Sequence, residues 1–119
     1  MTSEPDTIRP CIVLYGPTAS GKSALALAVA QRFGGVVINA DSMQIYRDLR
    51  ILSARPSAEE EALVPHRLYG VLDGDDVCSA ARWRDMARME IQAAHAAGRI
   101  PILCGGTGFY IKALIQGLS

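Results

Sequence analysis

Gly16-Pro17-Thr18-Ala19-Ser20-Gly21-Lys22-Ser23 fits the pattern G-x-x-x-x-G-K-[ST], and its flanks decide the fold. Before it runs Cys11-Ile12-Val13-Leu14-Tyr15, an apolar stretch with the residue types of a strand. After it comes Ala24-Leu25-Ala26-Leu27-Ala28-Val29-Ala30, rich in strong helix formers. A strand, a glycine loop and a helix start, in that order, turn the string into a phosphate site. Gly16 and Gly21 let the backbone aim successive N–H groups inward as an anion nest. The start of the helix adds partial positive charge. Lys22 brings a mobile ammonium, and the Ser23 hydroxyl can ligate Mg²⁺. The eight residues Gly16, Pro17, Thr18, Ala19, Ser20, Gly21, Lys22 and Ser23 are therefore the expected diphosphate or nucleotide site, with Ser23 as the metal ligand.

Working outward, the pattern predicts a first strand over 11–15, a helix over 22–33 ended by Gly34-Gly35, and a second strand, Val36-Val37-Ile38-Asn39-Ala40. A short helix or turn is expected over 42–49. Connecting loop should follow from Ser53 to Pro65, with Glu59-Glu60-Glu61 on a solvated helical turn. Leu68–Leu72 reads as a short strand. Ser79 is the expected N-cap of a long helix to Ala97, whose Ala80, Trp83, Ala87, Ile91 and Ala94 share one face. Gly98 ends it. Ile100-Pro101-Ile102-Leu103-Cys104 is a further strand, Gly105-Gly106-Thr107-Gly108 a second glycine loop, and 109–117 a last helix. Strands alternating with helices imply an α/β fold, a parallel sheet of P-loop NTPase type with flanking helices.

The chain has 119 residues, half of them apolar and a fifth charged, which is ordinary globular composition. Twelve basic residues balance twelve acidic ones, so net charge alone gives no pointer to nucleic acid. Residues 1–10 form a polar tail carrying Glu4, Asp6 and Arg9, with no apolar core of a secretory signal, and 11–119 form the α/β core. No apolar run reaches the roughly 20 residues of a membrane span. Cys11, Cys78 and Cys104 form no C-x-x-C pair; Cys11 and Cys104 lie in apolar runs, where a thiol acts as a small hydrophobe. A reduced, cytoplasmic setting is the simplest reading.

In open parallel sheets ligands bind beyond the carboxyl ends of the strands. Three segments meet there: the phosphate loop, Asp41-Ser42-Met43-Gln44 and Gly105-Gly106-Thr107-Gly108. Asp41 is the one carboxylate placed directly at a strand end, able to ligate Mg²⁺ or to act as a general base, the alternative being an N-cap. Thr107 offers a hydroxyl to a diphosphate oxygen or to the reacting group, and it too has a capping alternative. His66 and His95 have no metal-spaced partners and read as surface or capping residues. Trp83 reads as core, Arg82, Arg84 and Arg88 as solvated or paired, and Lys112 as an exposed lysine.

The three blocks at 16–23, Asn39-Ala40-Asp41-Ser42-Met43-Gln44-Ile45-Tyr46 and Gly105-Gly106-Thr107-Gly108-Phe109-Tyr110-Ile111-Lys112-Ala113-Leu114 resemble the tRNA dimethylallyltransferase (tRNA isopentenyltransferase) family. His66-Arg67-Leu68 and Ser79-Ala80-Ala81 resemble two weaker family segments, with Arg67 where the family tends to have a second histidine. The resemblance covers nearly everything after Pro10. It implies transfer of the five-carbon group of dimethylallyl diphosphate to the exocyclic amine of an adenine beside the tRNA anticodon. The loop would then hold the leaving diphosphate, with Mg²⁺, in place of ATP. Asp41 would take the amine proton and Thr107 would steady the amine or the diphosphate. Asp41, Ser42, Met43, Gln44 and Thr107 would contact the extruded base or its neighbours.

The resemblance also implies a longer protein, with a helical insertion that grips the anticodon arm and basic residues around the substrates. This sequence is accordingly expected to be the N-terminal portion of such an enzyme, monomeric, and inefficient on tRNA by itself. The rival readings are a small-molecule P-loop kinase, prenyl transfer to a free adenine nucleotide, and an inactive nucleotide-binding fragment.

Overall fold

The computed structural model describes residues 11–15, 22–41, 44–47, 56–73 and 78–105, with 112 and 114, and only the backbone of Tyr15, Lys22 and Ser23. Its elements in chain order are β1 (Ile12–Tyr15), α1 (Lys22–Phe33), β2 (Gly35–Asn39), α2 (Ala58–Leu63), β3 (His66–Arg67), α3 (Ala80–Ala96) and β4 (Ile100–Gly105). The four strands form one parallel sheet in the order β1-β4-β2-β3. In register, β4 sets Ile102 opposite both Ile12 and Val37, and Cys104 opposite both Leu14 and Asn39. All five residues of β2 are buried, which is why that strand is a continuous apolar run with no alternation.

Alternate residues of β2 and β4 serve two cores. Val37, Ile102 and Cys104 pack against Ala26 and Ala30 of α1, whose small side chains let the helix lie close to the sheet. Val36, Ile38 and Leu103 pack on the other face against Trp83, Ala87 and Ala94 of α3, as the helical spacing predicts. The caps of α3 are also as expected: Ser79 Oγ accepts from Arg82 N at 3.1 Å. At the other end Gly98, at φ 73°, lets its own N–H reach His95 O and Arg99 N reach Ala94 O, closing a Schellman motif.

Pro101 sits fully buried in a central strand, where a missing donor would ordinarily cost a ladder bond. Ala40 N donates to Cys104 O at 2.9 Å, so residues 102 and 104 turn their backbone groups toward β2 and residue 101 turns its own toward β1. The pairing with β1 starts only at Ile102, so no bond is lost.

Several expectations need correction. Within the connection expected from Ser53 to Pro65, the solvated helical turn expected at Glu59-Glu60-Glu61 is present but longer, the six-residue α2, nucleated by a capping box. Ser57 N donates to Glu60 Oε1 at 2.8 Å and Glu60 N to Ser57 Oγ at 3.1 Å. The strand expected at Leu68–Leu72 lies earlier, at His66–Arg67. Leu68 (φ 66°) and Gly70 (φ 63°) adopt left-handed backbone that no strand accommodates, and only Leu72 returns to bridge Tyr46. Cys11 is exposed just before β1, whereas Cys104 is buried as expected. Of the last expected helix, Lys112 and Leu114 are described; both are helical, Lys112 exposed and Leu114 buried.

Gly105 ends β4 with its α-carbon against the next turn of the β2 chain. A Cβ there would fall far inside van der Waals contact with the carbonyl group of Ala40. Backbone cannot yield as a side-chain tip can, so Gly105→Ala should lower stability by about 3 kcal/mol, at the upper end of overpacking costs. Chemical denaturation of the purified variant checks this; an unchanged midpoint would mean that the strand ends are not held together as described.

Candidate active site at the carboxyl ends of the strands

The strand ends converge as the sequence predicts. Tyr15 is level with Gly105, and Asn39 with Cys104, so β1, β4 and β2 finish side by side. Lys22 opens α1, the element that follows β1 in the chain. Gly16, Pro17, Thr18, Ala19, Ser20 and Gly21, the side chains of Lys22 and Ser23, and Ser42, Met43 and Thr107 lie outside the described residues. Asp41 and Gln44 are described, and the structure places both just beyond the end of β2.

Asp41 is half-buried and is held through its backbone by the residue two before it. Asn39 Oδ1 accepts Asp41 N at 2.8 Å, and Asn39 Nδ2 donates to Asp41 O at 2.9 Å. The second Nδ2 hydrogen goes to Leu68 O, also at 2.9 Å. The backbone carbonyl of Asn39 accepts the indole N–H of Trp83 at 2.7 Å. Asn39 is the one buried polar residue among the described positions, fully enclosed, and every donor of its amide is used. Asp41 O also accepts Gln44 N at 3.2 Å, a backbone turn in which the side chain takes no part.

Gln44 lies half-buried behind this turn, with its own O accepting Gly70 N at 2.9 Å. Among the described residues its side-chain Oε1 is the buried polar atom without a hydrogen-bond partner. An acceptor enclosed in this way carries a desolvation cost that a ligand N–H would relieve.

On the α1 side of the sheet, Tyr69 enters a cavity of about 10 Å³, lined also by Ala26, Glu60, His66 and Cys104. Burial holds the Tyr69 phenol well above its usual range, reinforced by Cys104, Asp41 and Glu60, so it stays a neutral hydroxyl at physiological pH. Of the surface or capping role expected for His66, the structure favours capping, since its ring lies on the carbonyl of Val64, the C-cap residue of α2. It is half-buried, with Nδ1 at 2.9 Å from Val64 O and its ring edge-on to Tyr69 at 5.8 Å. Arg67 instead points outward to Glu90, 3.6 Å away. Trp83 is core as expected, but its indole also serves the site through Asn39.

Among the described residues there is no cluster of three or more His, Cys, Asp or Glu side chains. One hard carboxylate at a strand end suits a cation that completes its shell with phosphate oxygens and water, as Mg²⁺ does, better than an all-protein cage. Sequence reasoning missed Asn39, Trp83 and Tyr69 as parts of this site. The available signal was an asparagine ending a continuous apolar strand, where a buried amide must find partners.

An open parallel sheet whose first strand leads toward a helix start, with an acidic residue at the next strand end, defines an α/β protein of P-loop NTPase type. The chain belongs to the IPP transferase family, whose model matches residues 44–119. It is 71% identical over 110 residues to the tRNA dimethylallyltransferase of Rhodospirillum rubrum, covering 92% of this chain and 34% of that protein. With the Rhodospirillum centenum protein of the same name it shares 60% over 111 residues, covering 93% and 35%. The crystal structure of a full-length tRNA isopentenylpyrophosphate transferase from Bacillus halodurans superposes with TM-score 0.87 at 40% identity, covering 92% of this chain and 36% of that one. A eukaryotic dimethylallyltransferase solved acting on tRNA gives TM-score 0.85 at 36% identity, covering 90% and 27%. The chain thus spans about a third of the length of the curated relatives it matches.

Replacing Asn39 by alanine strands Asp41 N and the buried carbonyl of Leu68, while Asp41 O keeps Gln44 N. Asn39→Ala should therefore cost about 3 kcal/mol, the penalty range for unsatisfied buried polar groups. Urea denaturation checks the cost; a change below about 0.5 kcal/mol would show that water replaces the amide there.

Proposed function

We propose that the protein to which these residues belong transfers a dimethylallyl group from dimethylallyl diphosphate to N6 of the adenine on the 3′ side of the tRNA anticodon. The observation that carries this reading is the placement of Asp41: the second residue past β2, fixed through its backbone by Asn39, beside the ends of β1 and β4. Family membership and relatives named for tRNA prenyl transfer support it.

In this reading Gly16, Pro17, Thr18, Ala19, Ser20, Gly21 and Lys22 hold the diphosphate. Ser23 holds Mg²⁺, which neutralises charge on the leaving group when bound. The N6 lone pair of adenine attacks C1 of the dimethylallyl group. The C1–O bond breaks, and its electron pair leaves with the diphosphate, where inward N–H groups and Lys22 stabilise the new charge. The amine lone pair is delocalised into the ring, so N6 is a weak nucleophile until its proton departs; the Asp41 carboxylate accepts that proton as the N–C bond forms. Thr107 steadies the amine or a diphosphate oxygen, and Ser42, Met43 and Gln44 line the base. The lone Gln44 Oε1 acceptor suits a second N–H of the adenine. ATP is the less favoured occupant of the loop. The described residues hold no helix long and apolar enough to cross a membrane, and the proposed setting is a cytoplasmic monomer.

The test uses a whole enzyme in which these 119 residues precede the remaining two thirds of the Rhodospirillum rubrum relative. It is incubated with labelled dimethylallyl diphosphate, ATP, AMP and unmodified tRNA. Label should enter tRNA, and Asp41→Asn should lower kcat by about 10²- to 10⁴-fold. Label in AMP, or phosphate passed to a small acceptor, would replace this reading with nucleotide prenylation or kinase activity.

A further inference from the structure

The turn after β3 places two left-handed residues, Leu68 (φ 66°) and Gly70 (φ 63°), on either side of Tyr69. Glycine adopts this backbone freely, but leucine does so only where its surroundings over-determine it. Here they do so from both faces of the sheet. Leu68 is buried in the core with Trp83 and Ile38, whereas the Tyr69 ring packs into the opposite core against the α1 side, edge-on to His66. The turn therefore straddles the sheet edge, with one side chain anchored in each core.

What this pinned turn holds is the segment carrying Asp41 and Gln44. Leu68 O receives the Asn39 amide, Gly70 N donates to Gln44 O at 2.9 Å, and Val71 N donates to Ile45 O at 2.8 Å. Three hydrogen bonds from one strained turn thus act on residues 39, 44 and 45, which bracket Asp41.

We propose that Tyr69 is a positioning residue: its ring, wedged between α1 and β3, locks the Leu68–Gly70 turn and thereby sets where Asp41 and Gln44 stand. The inference rests on the reading of Asp41 as the proton acceptor. It assigns the work to the ring and none to the hydroxyl. With the ring gone, Leu68 is free to leave its left-handed backbone, the three bonds loosen, and the carboxylate drifts from its reacting position, while β1, at the opposite border of the sheet, is untouched. A displacement of about 1 Å at a reacting group lowers rate by about a hundredfold.

The whole enzyme described above is compared with Tyr69→Phe, Tyr69→Leu, Tyr69→Ala and Asp41→Asn, each assayed well below its melting temperature. Tyr69→Phe should keep kcat within about twofold of the parent. Tyr69→Leu and Tyr69→Ala should lose about 10- to 100-fold in kcat, with KM for dimethylallyl diphosphate within about threefold. Amide exchange at Gly70 and Val71 should accelerate in both ring-less variants and stay slow in Tyr69→Phe. If Tyr69→Leu melts lower but keeps its kcat per folded molecule, the residue is merely structural and the inference fails. It also fails if Tyr69→Phe is as damaged as Tyr69→Leu, because the hydroxyl would then be the acting group. Full activity in Asp41→Asn would remove the reading of Asp41 instead, whatever the Tyr69 variants show.

Discussion

The Asn39 carboxamide uses its whole donor capacity on backbone carbonyls that lie near and far in sequence, Asp41 O and, 29 residues away, Leu68 O. Its oxygen takes Asp41 N, and its own carbonyl takes the Trp83 indole, 44 residues on. One enclosed residue therefore ties the end of β2 to the turn after β3 and to the first turn of α3. In a low-dielectric interior such a network is rigid when complete and costly when broken. Trp83 is the bulkiest fully buried residue of the α3-side core, so the geometry of Asp41 is linked directly to the packing of the domain. No comparable tie would exist if residue 39 were a fourth aliphatic side chain in β2.

The two remaining constraints at the strand ends are steric. Gly105 lies on Ala40 so closely that only a residue without a side chain fits, which brings the carboxyl ends of β2 and β4 together. Ala26 and Ala30 let α1 lie close to the same sheet on the opposite face from Trp83. The ends of β1, β4 and β2 are thus held by hydrogen bonding from one side and by the absence of side-chain bulk from the other. That arrangement suits a site whose ligand is met chiefly by backbone N–H groups.

The parts legible in the sequence were those whose signal is local and periodic. β1, β2 and β4 are unbroken apolar runs, and α3 announces itself by Trp83, Ala87 and Ala94 at helical spacing with Ser79 before it. The capping box of α2 was also written locally, in Ser57 and Glu60, and the acidic run around it reads as a solvated helical turn. β3 was hidden because two residues carry no periodicity, and the left-handed backbone of Leu68 has no local cause. It follows from partners in two different cores. Asp41 could be placed from its position after a strand, while the role of Asn39 depends on residues too distant in sequence for any window to join them.

The sheet has unlike borders. β3 offers only two paired residues, then turns away through a left-handed leucine, and it sets the charged Arg67 and Glu90 alongside. Short length, charge and a sharp bend are the devices by which an outer strand refuses a further neighbour. β1, on the other border, is longer and wholly apolar, and Val13 is 37% exposed on it. Among the described residues, the border that leaves room for a further strand, whether from the same polypeptide or from a second copy, is therefore that of β1.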